Sequence, residues 1–216
     1  MRAFRYKYGM EVSMESIQDK IKKRIQAKGR GWAFSRVDFS DLGGDGAVRL
    51  ALVRLEEGGL IRRVLRGVYD YPKISSFVDE PMGPEVDQVA QAIARRSGWR
   101  IQPSENTALN LLGLSTQVPA RAVYLSDGPS KSYDLGNRQV TFRKRALKES
   151  GFALRESEWV VQALKALGPE RIDSGVRSRL AKALPPEIWK KMVKDARTAP
   201  AWVHDIIRAI SEEVAS

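Results

Sequence analysis

Five arginines in the first third of the chain, Arg49, Arg54, Arg62, Arg63 and Arg66, point most directly to a chemistry. A planar guanidinium donates bidentate hydrogen bonds to phosphate oxygens and to the guanine edge, so this pattern suits nucleic-acid binding. Arg49 and Arg54 share one helical stretch. Arg49 is placed for base readout, while Arg54 is open between a DNA contact and a structural bridge to Glu57 or Asp70. Arg62, Arg63 and Arg66 surround a Gly-containing turn and suit phosphate contacts, which set affinity and register. A second cluster, Arg143-Lys144-Arg145, ends a later hairpin. It reads as a secondary nucleic-acid or partner contact, or as a solvated strand end.

Catalysis has less to draw on. The chain holds no cysteine and one histidine, His204, which excludes thiol catalysis, Cys-ligated zinc, iron–sulfur clusters and mechanisms needing two imidazoles. His204 is expected at the surface. Asp127 and Asp134 lie on or beside neighbouring strands, and a carboxylate pair can hold Mg²⁺. Strand-end aspartates are, however, common turn formers. The loop Gly43-Gly44-Asp45-Gly46 precedes a helix but lacks the Lys and Ser/Thr of a P-loop, so Asp45 reads as a helix cap. The expectation is a protein that is not an enzyme, with no catalytic residue, metal or cofactor.

The charge balance agrees with the arginine pattern. Thirty-seven basic residues against twenty-six acidic ones give +11 over 216 residues. Residues 1–74 hold sixteen of the bases and nine of the acids, so most of the excess lies there. An anionic partner is expected to meet that third of the chain. With 43% hydrophobic and 29% charged residues, the composition is that of an ordinary globular protein. No run of 18 apolar residues is present and the start has no apolar leader segment, so a cytoplasmic protein without a membrane partner is expected.

The elements that must hold the arginines follow from periodicity. Ile17, Ile21 and Ile25 form a helical stripe with Ser13 as a possible cap and Gly29 beyond. Trp32-Ala33-Phe34 is a short extended run. Ser35 opens a brief helix through Phe39, with Asp38 completing an acidic capping box. A third helix runs from about Gly46 to Glu57, burying Val48, Ala51, Leu52 and Leu55, and Gly58-Gly59 stops it. Two β-rich runs, Leu60–Val64 and Val68–Tyr71, flank Leu65-Arg66-Gly67 as a hairpin. Three helices and a basic hairpin are the order of a winged helix-turn-helix, whose third helix enters the major groove. That fold also serves protein contacts alone.

The run Ala47-Val48, Ala51-Leu52, Arg54-Leu55, Gly59-Leu60-Ile61 and Arg66-Gly67-Val68-Tyr69-Asp70-Tyr71-Pro72 resembles the N-terminal domain of AbiEi-type antitoxins of type IV toxin–antitoxin systems. A second stretch resembles one branch of that group: Gln102-Pro103-Ser104, Asn106, Leu112-Gly113-Leu114-Ser115-Thr116-Gln117-Val118-Pro119 and Val123-Tyr124-Leu125-Ser126-Asp127-Gly128. The likeness covers about residues 14–200 and implies two roles. The winged helix would bind the protein's own promoter DNA and repress its operon. The C-terminal domain would counter a cognate nucleotidyltransferase-like toxin. The resemblance supplies no catalytic motif and no toxin-contacting residue.

The remaining sequence predicts a helix over Pro84–Arg96, a strand over Trp99–Ile101, a helix over Asn106–Leu112 and a strand over Ala122–Ser126. Gly136-Asn137 marks a hairpin between Tyr133–Leu135 and Gln139–Phe142. From Ser157 onward four helices with Pro/Gly punctuation predict a bundle. Its tryptophans, Trp159, Trp189 and Trp202, belong to its core, or serve as partner hot spots if exposed. The expected fold class is α+β: an N-terminal winged helix-turn-helix, then a mixed α/β segment, then a C-terminal helical bundle. The expected domains are an N-terminal extension (1–13), a DNA-binding domain (14–74) and a partner-binding domain (75–216). The competing functions are a protein-interaction module or orphan regulator, and a metal-dependent nucleic-acid enzyme.

Overall fold

The computed structural model describes residues 15–115, 120–147 and 152–215. The chain is mixed α+β, with two small sheets. It divides into two compact units between Gly83 and Pro84, beyond the boundary after residue 74 expected above. Residues 73–82 close on themselves through an Ile74–Pro81 bridge and bonds from Met82 N to the Lys73 carbonyl and Ser75 N to the Glu80 carbonyl. The expected extension 1–13, the Ser13 cap and Thr116–Pro119 of the distinctive run lie outside the described residues.

In the first unit, α1 (Ile17–Lys28) starts at Ser16, whose hydroxyl accepts from Asp19 N. A strand β1 (Ala33–Phe34) follows, then a 3₁₀ helix (Arg36–Phe39), α2 (Asp45–Glu57), β2 (Arg62–Leu65) and β3 (Val68–Asp70). The Ser35–Asp38 capping box forms, with Ser35 N donating to Asp38 at 2.8 Å. Gly44, in extended conformation, is the N-cap of α2, so Asp45 is not the expected cap. It stands in the first turn instead, where a carboxylate favours the helix dipole, and pairs with Arg36. The far end of α2 closes as a Schellman motif, with Gly59 at φ +70° and Leu60 N bonded to the Leu55 carbonyl. The sheet order is β1-β3-β2, all antiparallel. Ile21 and Ile25 of α1, Val48, Leu52 and Leu55 of α2, and Phe34, Phe39 and Tyr69 share one core.

The second unit begins with α3 (Val86–Ser97), β4 (Ile101–Pro103), α4 (Glu105–Leu111), β5 (Arg121–Ser126), β6 (Lys131–Asp134) and β7 (Gln139–Lys144). Strand β4 starts two residues later than expected, because Trp99 N is used to close α3 on the Ala94 carbonyl. The sheet order is β4-β5-β7-β6, with β5 and β7 parallel and both edge pairings antiparallel. Trp99 packs edge-on against Phe142, at 5.6 Å between ring centres. It also lies against Gly128, where an added Cβ would sit 2.6 Å from Trp99 Cγ. Gly128→Ala is therefore expected to cost about 1–3 kcal/mol by overpacking. A urea titration of the variant checks this.

Four helices complete the unit: α5 (Arg155–Leu167), α6 (Ser174–Ala183), α7 (Pro186–Asp195) and α8 (Ala201–Glu213). Their core contains Val160, Leu164, Leu180, Trp189, Met192 and Ile207, with Trp159 and Trp202 partly buried against it. Helix α5 begins before Ser157 because Asp195, at the end of α7, accepts from Ala153 N and Leu154 N at 2.7 and 2.9 Å. His204 is half-buried rather than at the surface, its Nε2 3.0 Å from the Val193 carbonyl.

Charged groups also tie this unit together. Asp87 on α3 accepts from the buried Tyr124 hydroxyl at 2.9 Å and pairs with Arg155 on α5. Burial pushes the Tyr124 hydroxyl pKa up and that of Arg155 down. Burial also pushes the Glu158 carboxyl up, to about 7, with Asp195 adding to the rise and Arg155 opposing it. The folded state thus holds a proton that the unfolded chain releases near its ordinary value, so stability falls as pH rises from about 4.5 to 7. Allowing for partial exposure, Glu158→Gln is expected to be about 1–2 kcal/mol more stable than the parent at pH 8 and equal to it at pH 4. Denaturant midpoints at the two pH values test this directly.

Candidate nucleic-acid interface

Helix α2 turns Val48, Ala51, Leu52 and Leu55 into the core. Spacing at 3.6 residues per turn then leaves Arg49, Leu50 and Arg54 on the opposite face, all exposed. Neither Arg49 nor Arg54 has an ion-pair partner among the described residues. The bridge from Arg54 to Glu57 or Asp70, left open by the sequence, is absent, because Asp70 is taken by Arg62.

That pairing changes the reading of Arg62. Asp70 is buried, its side chain 2% exposed, and Arg62 grips it through two bonds: Nε to Oδ1 at 3.1 Å and Nη2 to Oδ2 at 2.6 Å. Across the ladder Arg62 stands directly opposite Asp70, so both hydrogen bonds of the fork are spent inside the sheet. This grip gives Arg62 a structural role within the sheet. Arg63 pairs with Glu56 at 2.9 Å and lies over the Tyr69 ring, 5.6 Å from its centre. The Glu56 hydrogen bond raises the pKa of Arg63 further. Arg63 is exposed, and exposed pairs of this kind exchange readily with a competing anion. Arg66 is exposed at the two-residue turn, beside Gly67 at φ +75°.

Other arginines of the unit are committed as well. Arg24 is bonded to both oxygens of Asp41 and to the Asp38 carbonyl, and Arg30 donates to the Pro72 carbonyl while covering Tyr71. Among the described residues of this unit, cationic charge without a partner is thus concentrated on the outward face of α2 and on lysines of α1. Sequence reasoning missed Leu50, half of whose surface is exposed. Its signal was present: a leucine outside the 48/51/52/55 stripe, between two arginines.

The triplet Arg143-Lys144-Arg145 is divided by the strand's pleat. Arg143 stands opposite Leu125 and Lys144 opposite Ser126, on alternate faces of the sheet. The carboxylates considered for a cation are occupied. Asp127 accepts from Arg100 Nε and Arg100 N, which together hold it below the usual carboxylate range. Asp134 accepts from Gln139 Nε2 at 2.7 Å. Among the described residues no group of three or more His, Asp or Glu side chains is placed to hold a metal ion. No helix among them is long and apolar enough to cross a membrane.

No curated protein matches the chain. A family-level match does exist and spans both units, over residues 20–192. The chain belongs to DUF6088, a family of unknown function.

Proposed function

We propose that the first unit is a winged helix-turn-helix that binds duplex DNA, and that the protein is an antitoxin repressing its own operon. The observation that carries the DNA reading is the outward face of α2, where Arg49 and Arg54 flank Leu50 with no neutralising partner among the described residues. Guanidinium groups on an exposed helix suit phosphates and guanine edges, and an exposed leucine suits a thymine methyl group. The β2–β3 hairpin acts as the wing, with Arg66 and Arg63 at flanking phosphates and Arg62 bracing the wing from inside. The second role, countering a nucleotidyltransferase-like toxin through the second unit, rests on the resemblance of residues 47–72 and 102–128 to AbiEi-type antitoxins.

Affinity for the DNA upstream of the gene, measured from 50 to 300 mM salt, tests the first half. Four phosphate contacts would give a log–log slope of about −3.6. A slope near zero overturns the electrostatic reading. Co-expression with a neighbouring nucleotidyltransferase-like gene tests the second half. Growth arrest should be relieved by the full chain, and also by a chain whose α2 arginines are removed. If the full chain brings no relief, the toxin role falls while the DNA role stands.

A further inference from the structure

A cleft of about 590 Å³ opens in the second unit between α4, one face of the β5–β7 pair, and α5. Strand register explains its charge. Arg121 faces Gln139 across the parallel ladder and Arg143 faces Leu125, so alternation puts both arginines on the same face, about 13 Å apart along the strands. Arg145, just past the end of β7, lines the cleft as well. All three are exposed, and none has an ion-pair partner among the described residues. Glu105 is the one carboxylate among the lining residues.

An independent observation comes from Gln162 on α5. This glutamine is only 6% exposed and lines the cleft, and its side-chain amide makes no hydrogen bond with any described residue. A primary amide has two donors and two lone pairs, all of them available to a ligand in the cleft. Val123 and Leu125, on the same sheet face as Arg121 and Arg143, add apolar surface to the cleft wall. The cleft therefore combines strong anion donors, a neutral donor–acceptor amide and some apolar surface. Its volume falls in the range of small-molecule sites.

We propose that this cleft binds a nucleoside phosphate, with the three arginines on phosphate oxygens and the Gln162 amide on the edge of the base. Guanidinium forks match phosphate geometry, and glutamine amides pair bidentately with base edges. Glu105 supplies an acceptor for sugar hydroxyls. A free nucleotide and the end of a nucleic-acid strand share this chemistry. The site is separate from the α2 interface and does not depend on it.

Isothermal titration of the full chain with AMP, GMP, CMP, UMP and inorganic phosphate tests the proposal. At least one nucleotide is expected to bind tenfold or more tightly than phosphate. The double variant Arg121→Ala/Arg143→Ala should weaken that binding at least tenfold while leaving the melting temperature of the unliganded protein unchanged. Gln162→Leu should narrow the gap between the nucleotide and phosphate, with the melting temperature of the unliganded protein unchanged or higher. A 5′-phosphorylated trinucleotide binding tenfold more tightly than its mononucleotide would assign the site to a strand end, and equal affinity to a free nucleotide. Equal affinity for nucleotide and phosphate, no binding at millimolar concentration, or binding untouched by the arginine variants would each overturn the proposal. The arginine variants, being on the surface, keep the test decisive if Gln162→Leu fails to fold.

Discussion

The full chain carrying both Arg49→Ala and Arg54→Ala is expected to bind its upstream DNA about 30- to 25,000-fold more weakly at low salt, with an unchanged melting temperature. The range follows from about 1–3 kcal/mol for each guanidinium that no longer reaches the DNA. Stability should hold because both side chains are exposed and neither contributes an ion pair to the fold, and such surface substitutions usually change stability by less than about 0.5 kcal/mol. The salt slope should become shallower by about 0.9 for each phosphate left unneutralised. Arg63→Ala should have a smaller effect, since Arg63 must first give up Glu56 to reach DNA. Affinity within threefold of the parent protein for the double variant would show that α2 is not the reading helix.

Arg62→Ala is expected to act on the fold itself. It strands the buried Asp70 carboxylate without its two-pronged partner, a loss of about 2–4 kcal/mol once the partial exposure of Arg62 is allowed for. Removing Asp70 as well should recover much of that loss, because the cost is an unpaired buried charge and not the missing bond. Arg62→Lys should fall between, since an ammonium cannot reproduce the planar fork. Denaturant unfolding at 25 °C separates these outcomes. If Arg62→Ala unfolds within about 0.5 kcal/mol of the parent protein, the pair does not brace the sheet. The two sets of variants also separate two origins of any weakened DNA binding: one at the exposed face of α2, the other in the support of the β2–β3 hairpin.

Much of the fold was legible because its signals are local. The 48/51/52/55 stripe, the Ser35–Asp38 box, Gly58-Gly59 and the Gly136-Asn137 turn each encode structure within a few residues, and each element appears where expected. The exposure of Arg49 and Arg54 followed from the same periodicity. Where element boundaries moved, a distant residue was responsible. Asp195 sets the start of α5 from about forty residues away, and no window of sequence contains both ends of that bond.

The sequence by itself determined which stretches are helical or extended, which faces are apolar, and that cationic charge gathers in the first third. Only the tertiary structure decided which cations remain without partners. Arg62 and Arg49 are the same residue type in the same basic segment, yet one faces a buried Asp70 across a strand pair and the other faces solvent from a helix. Likewise Arg121, Arg143 and Gln162 converge on one cleft although α4, β5, β7 and α5 are dispersed along the chain. The physical reason is range. Periodicity and turn chemistry act over a few residues, whereas charge neutralisation and burial depend on which elements become neighbours.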